Sequence, residues 1–173
     1  INNAGAAGPD LLAMRDWQVQ KAHLDLMITS YAALCHFFVP AMQERGYGRV
    51  LNVASVAGQI TVPGDMNYGP TKTYLIAMSK ALSASVKKDG VHVLALCPGL
   101  THTDFHQSKR LSTMKAKSPG FIWYDADVVV REGLAALEKG KAVYTSGRLY
   151  RFAMPVIRQP WMRGLLKRFS IRN

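Results

Sequence analysis

The chain has 173 residues, of which 49% are apolar and 19% charged, enough to bury a sizeable core in one globular domain. Its 22 Lys and Arg outnumber 11 Asp and Glu, a formal charge of +11. The longest apolar stretch, residues 28–42, is interrupted by Ser30 and His36 and falls short of the roughly 20 apolar residues of a spanning helix, so no transmembrane segment is expected.

The opening Ile1-Asn-Asn-Ala-Gly5 has neither an initiator Met nor the basic and apolar regions of a signal peptide, and reads as the interior of a longer coding sequence. It resembles a strand end running into a glycine turn, followed by loop to Asp16 with Gly8-Pro9-Asp10 as a turn signal. Leu24, Met27, Ile28, Tyr31, Leu34, Cys35, Phe38 and Met42 recur at helical spacing, and Gly46 and Gly48 end the pattern. Residues 49–55 form a short apolar, β-branched run, as expected of a strand buried on both faces. A loop over 56–67 leads to a helix over 68–88, closed by Asp89-Gly90. A second buried strand spans 91–97 and stops at Pro98-Gly99.

The pattern then fades over 101–124, a length of loop that is usually functional or mobile. Helical spacing resumes over 125–139, and 142–145 suggests one more strand. Strands alternating with helices imply a parallel sheet covered on both faces, hence an α/β, three-layer αβα architecture. The segment 148–173 has near-helical apolar spacing interrupted by Pro155 and Pro160. From Lys141 onward there are eight Lys or Arg and no acidic residue, so we expect a body over 1–147 and a basic, partly apolar extension over 148–173.

Cys35 and Cys97 sit among apolar neighbours without the spacing of a disulfide framework or zinc site, as expected of reduced thiols in a cytoplasmic protein. His23, His36, His92, His102 and His106 show no metal-ligand pattern, and no metal is expected.

Tyr68 and Lys72 lie four residues apart on the expected helix and share a face. A phenol with a pKa near 10 is under roughly 0.1% ionised at neutral pH, so acid–base work by Tyr68 calls for a nearby cation, which Lys72 supplies. A Y-x-x-x-K pair is equally what a solvated helix face would show. The context argues otherwise: Ser55 ends a buried strand thirteen residues before Tyr68, and Pro98-Gly99 ends the next. Ligands of open α/β sheets bind at such strand ends.

Asn2-Asn3-Ala4-Gly5, Ser55 with Tyr68-Gly-Pro-Thr-Lys72, and Pro98-Gly-Leu-Thr-His-Thr-Asp-Phe105 together resemble three consecutive signatures of the short-chain dehydrogenase/reductase superfamily. The resemblance extends to about Thr145 and implies part of a doubly wound, Rossmann-like sheet and an NAD(P)-dependent oxidoreductase interconverting a carbonyl and an alcohol. It implies Tyr68 as general acid/base, Lys72 as the residue that lowers its pKa and holds the nicotinamide ribose, and Ser55 as orienter of the carbonyl. Asn2, Ala4 and Gly5 would line the adenosine side of the cofactor. Pro98, Gly99, Thr101 and Thr103 would pack against the nicotinamide and reach toward the phosphates. The cofactor is expected to be NADP or NAD, NADP being slightly favoured by the family, and a homo-oligomer is expected by the same analogy.

Two departures stand out. The family's Gly-rich dinucleotide turn is absent from this chain, so cofactor binding would need residues beyond it. Met27 also occupies the place where many members carry an Asn that holds a water of the proton relay. Met27 reads either as core packing or as a sign of altered catalysis, the latter fitting a degenerate member that serves as a binding or membrane-associated scaffold. The segment from Phe105 to Tyr124, with Leu111, Met114, Phe121, Ile122 and Trp123, reads as a lid over an apolar substrate or as an ordinary loop. The basic tail suits a solvated or subunit-facing surface, with peripheral membrane contact as the next reading, since Phe152, Trp161, Leu165, Leu166 and Phe169 are interleaved with its charges. Nucleic-acid binding has no motif beyond charge to support it.

Overall fold

A computed structural model describes residues 1–62, 64–103, 105, 118–157 and 159. Helix α1 (Trp17–Leu24) starts at Asp16, whose carboxylate accepts from Gln18 N–H at 2.8 Å. It continues through a π turn (Asp25–Thr29) into α2 (Ser30–Glu44). Strand β1 (Gly48–Val53) and a 3₁₀ turn (Val56–Gln59) lead to α3 (Tyr68–Val86), which closes through Lys87–Asp89 and Gly90 in the left-handed conformation (φ 74°). Then follow β2 (Val91–Cys97), β3 (Thr101–His102), β4 (Tyr124–Asp125), α4 (Ala126–Glu138), β5 (Val143–Thr145) and α5 (Arg148–Ile157).

The main sheet is parallel in the order β1-β2-β5, with Gly48 beside Val91 and Ala95 beside Val143. Asn2 adds a parallel bridge to Asn52 on the outer side of β1. Side chains of β2 alternate between the two faces, as the strand period requires. Val91 and Val93 pack with Cys35, Val39 and Val86 from α2 and α3, and Ala95 and Cys97 with Tyr31 and Leu75. Leu94 and Leu96 pack with Val129, Ala136 and Leu137 of α4 on the opposite face. Helices on both faces of a parallel sheet give the expected three-layer αβα architecture.

The helical stretch Trp17–Glu44 is long and apolar enough to cross a membrane by length and composition. Its inner stripe of Met27, Tyr31, Cys35 and Val39 is buried in this fold, which makes it a core helix packed on the sheet.

The expected interruption at Pro155 is not seen, because α5 runs through to Ile157. A proline inside a helix forfeits one backbone hydrogen bond, and docking of the inner face offsets that loss. Met154 is buried, and Arg151 donates to Glu132 at 2.9 Å. The same carboxylate accepts from Ser146 Oγ (2.8 Å) and Gly147 N–H (3.0 Å). The first ten residues of the expected extension, 148–157, thus form a helix whose inner face contacts the body. The rest of that stretch, apart from Gln159, lies outside the described residues.

Leu94 is fully buried between the layers. Leu94→Ala is expected to cost about 2–5 kcal/mol of unfolding free energy, read as a lower denaturant midpoint at unchanged slope.

Candidate active site

The ends of β1 and β2, the turns after them and the first turn of α3 border one cleft of about 970 Å³, near the top of the range of about 300–1,000 Å³ for small-molecule and cofactor sites. Ser55, Tyr68 and Lys72 all line it, as do Ala4, Gly5, Pro98, Gly99, Thr101 and Thr103. Asn2 does not. Its amide donates to Asn52 Oδ1 at 2.7 Å, and its backbone N–H donates to Leu51 O at 2.8 Å, so it extends the sheet and faces the buried Asn52. Asn52 in turn donates to Ser79 Oγ at 2.9 Å, tying β1 to α3.

Backbone geometry brings the three central side chains together. Ser55 sits just past β1 in extended conformation, and its Oγ accepts from Ala57 N–H at 3.1 Å while also hydrogen bonding with Tyr68. Tyr68 opens α3, and one turn on Lys72 is 3% exposed and donates to Val53 O at 2.7 Å. The ammonium lies 5.6 Å from the Tyr31 ring centroid and 5.7 Å from that of Tyr68, within reach of a cation–π attraction.

Burial dominates the electrostatics. It lowers the Lys72 ammonium to about 8, against a smaller opposing influence of Cys97. It also raises the Tyr68 phenol, an effect partly offset by the Ser55 hydrogen bond and reinforced by the Asp65 carboxylate. Withdrawal of water is the leading cause of both shifts, and Tyr68 rests as a neutral phenol, a proton donor.

Met27 lies in the π turn, fully buried, and its Sδ accepts a weak hydrogen bond from Ala6 N–H at 3.4 Å. A Cβ placed on Gly5 would stand 3.3 Å from that sulfur and 3.6 Å from Lys72 Nζ, so the Ala4–Ala6 turn packs directly over Met27 and the ammonium. Tyr31, one turn later, donates from its hydroxyl to Ala4 O at 2.9 Å, and burial pushes that phenol up to about 12.

Several residues that shape the cleft carry no sequence signal of their own. Gln20 donates to Asp10 O (2.9 Å), and Asn67 donates to Pro9 O (2.8 Å) and Gln20 Oε1 (2.7 Å), fastening the loop at the cleft mouth. Tyr150 of α5 braces the turn after β2. Its hydroxyl donates to Ile122 O (3.0 Å) and accepts from Leu100 N–H (3.2 Å), and its ring lies where a Cβ on Gly99 would fall, 2.0 Å away. His23 is buried with Nε2 lacking a partner among the described residues, and burial, then the Lys72 charge, lowers its pKa. No group of His, Cys, Asp or Glu among the described residues is arranged to hold a metal.

Of the expected lid, Phe105 packs its ring on Tyr68 (centroids 5.5 Å apart), Trp123 stacks on His102 (5.3 Å), and Phe121 is exposed. Leu111 and Met114 lie outside the described residues.

Over residues 1–113 the chain matches the short chain dehydrogenase family. It belongs to that family. It is 33% identical over 123 residues to estradiol 17-beta-dehydrogenase 11 of Macaca fascicularis, covering 69% of this chain and 41% of that protein. Nodulation protein G of Azospirillum brasilense is 35% identical over 104 residues, 60% of this chain and 42% of that one. A 3-oxoacyl-(acyl-carrier-protein) reductase of Buchnera aphidicola is 26% identical over 159 residues, 87% and 65% of the two chains. The chain thus spans between 41% and 65% of the length of these relatives.

Among solved structures, a short chain dehydrogenase from Burkholderia cenocepacia in complex with NADP superposes with a TM-score of 0.74 at 20% identity, covering 96% of this chain and 67% of that one. One from Sphingobium yanoikuyae in complex with NADPH gives 0.73 at 23%, covering 94% and 63%. These likenesses establish the shared Rossmann-like fold.

In this short chain dehydrogenase the buried Lys72 has a measurable consequence. A cation whose folded pKa is about 8, against about 10.4 unfolded, binds fewer protons folded than unfolded between those values, so its contribution to stability rises with pH across that window. Raising the pH from 7 to 9.5 is expected to stabilise the native protein relative to Lys72→Met by about 2 kcal/mol, measured by denaturant unfolding of both at each pH.

Proposed function

We propose that this chain forms the catalytic half of an NAD(P)-dependent oxidoreductase that interconverts a carbonyl and an alcohol, with Ser55, Tyr68 and Lys72 handling the proton. The observation that carries this reading is the convergence of two hydroxyls and one buried ammonium on a cleft at the strand ends. The lining suits the nicotinamide and ribose half of such a cofactor. Lys72 spends one of its three N–H groups on Val53 O, which leaves donors for a ribose hydroxyl. Gly5 borders the cleft, and a Cβ there would stand 3.3 Å from Met27 Sδ, tighter than ordinary contact. Ala4 and Gly5 would border the adenosine side, and Pro98, Gly99, Thr101 and Thr103 the nicotinamide side. NADP is slightly favoured over NAD by family analogy. The cofactor, when bound, supplies or accepts the hydride.

The chain's own residues do the rest. Ser55 and the neutral Tyr68 phenol offer adjacent hydroxyls to a carbonyl oxygen, stabilising negative charge as it develops there. Tyr68 passes its proton to that oxygen, and the Lys72 ammonium stabilises the phenolate left behind. Phe105 on the Tyr68 ring, with Leu11, Met66 and Val130 around the cleft, favours an apolar substrate. Exposed Leu34, Phe37 and Phe38 on α2 and Tyr74 on α3 offer a face for a second copy, in keeping with the homo-oligomer expected from the family.

Tyr68→Phe in the intact polypeptide is expected to lower turnover by roughly 10²–10⁴-fold, the usual worth of general acid–base catalysis, with the melting temperature retained. Because Lys72 loses its charge near pH 8, kcat/KM for carbonyl reduction should fall as pH rises through that value. Retained turnover in Tyr68→Phe would refute the mechanism, and absence of any NAD(P)H binding would favour the scaffold reading instead.

A further inference from the structure

The loop between β1 and α3 carries a carboxylate into the cleft beside the reactive phenol. Asp65 borders the cleft together with Ser55, Tyr68 and Lys72. Its backbone N–H donates to Val62 O at 3.1 Å, and Gly64 before it has a φ of 85°, a conformation that glycine adopts without strain. Both carboxylate oxygens accept from Gly69 N–H, at 2.9 and 3.0 Å, in the first turn of α3. An anion suits that place, because the first N–H groups of a helix lack partners within it and carry partial positive charge. A Cβ on Gly69 would stand 2.7 Å from Asp65 Oδ2, so a glycine there lets the carboxylate lie close against the helix. Asp65 is thus held from both ends against the turn that carries Tyr68, and its charge reaches the phenol, which it helps to keep protonated. Accepting from an amide does not neutralise it. Among the described residues Asp65 forms no ion pair, and Lys72, the one cation among those that border the cleft, is assigned above to the cofactor ribose.

We propose, resting on the oxidoreductase function above, that Asp65 is a specificity-determining residue: the site takes carbonyl compounds that carry no negative charge around the reacting carbon and turns away those that bear a carboxylate or phosphate there. The substrate oxygen has to reach the hydroxyls of Ser55 and Tyr68, so the groups attached to the carbonyl carbon share that end of the cleft with the Asp65 carboxylate. Like charges in a partly dry cleft repel strongly enough to change binding by on the order of tenfold. A neutral substrate escapes that penalty, and one with a hydroxyl or amide N–H gains an acceptor, since each carboxylate oxygen keeps lone-pair capacity beyond its bond to Gly69.

The test is initial-rate kinetics of the intact polypeptide, with NADPH and again with NADH, on methyl benzoylformate and on benzoylformate. The two compounds share one ketone and differ in whether the group beside it is a neutral ester or an ionised carboxylate. The native protein should favour the ester in kcat/KM by at least tenfold. Asp65→Asn, which removes the charge and keeps an oxygen to accept from Gly69 N–H, should shrink that preference at least fivefold, chiefly by lowering KM for benzoylformate. The preference is a ratio within one preparation, so a variant that folds only in part still reports it. Equal use of both compounds by the native protein, a preference for the anion, or a preference that Asp65→Asn leaves unchanged would each overturn the assignment while the oxidoreductase function stands. Reduction of neither compound with either cofactor would overturn both.

Discussion

The site depends on one buried cation. Lys72, 3% exposed, keeps its ammonium at the carboxyl end of β1 by donating to Val53 O. Burying an ammonium is unfavourable unless it is hydrogen bonded, and among the described residues its immediate partners are one carbonyl and two aromatic faces. Burial leaves Lys72 near 8, available to a ligand in the adjoining cleft.

Much of the surrounding structure serves that placement. Ser55 follows Val53 by two residues, so the strand that supplies the carbonyl also supplies the hydroxyl that meets Tyr68. Tyr31 fixes Ala4 from the side, and Met27 fills the space below Gly5, so the glycine turn closes over the ammonium. The π turn that carries Met27 inserts a wider turn into an otherwise regular helix, a device often found beside functional sites. Here the side chain in the turn is apolar, and it acts as packing under the cleft floor.

The sequence made local features legible and left remote ones hidden. Alternating strands and helices, the two buried strands and the spacing of Ser55, Tyr68 and Lys72 are each encoded within a few turns of chain, and the structure places them as that spacing implies. Tyr150, Gln20 and Asn67 were not readable, because each acts on residues 10 to 58 positions away through contacts that only the folded chain creates. Pro155 misled for a related reason: its local cost is outweighed by the docking of Met154 and the Arg151–Glu132 pair. Asn2 carries a family signature, yet its amide is spent on Asn52, and the hydrogen bond that decides this spans 50 residues. The burial that raises the Tyr68 phenol was likewise not readable, since spacing shows neighbouring groups but not the loss of water.

The most direct test of this account is an NMR titration of the Lys72 side chain, followed through its carbon beside the ammonium and assigned with Lys72→Met. The account predicts a midpoint near 8, well below that of the surface lysines. A midpoint at the ordinary lysine value of about 10.4 would contradict it, because the ammonium would then be solvated rather than buried at the end of β1.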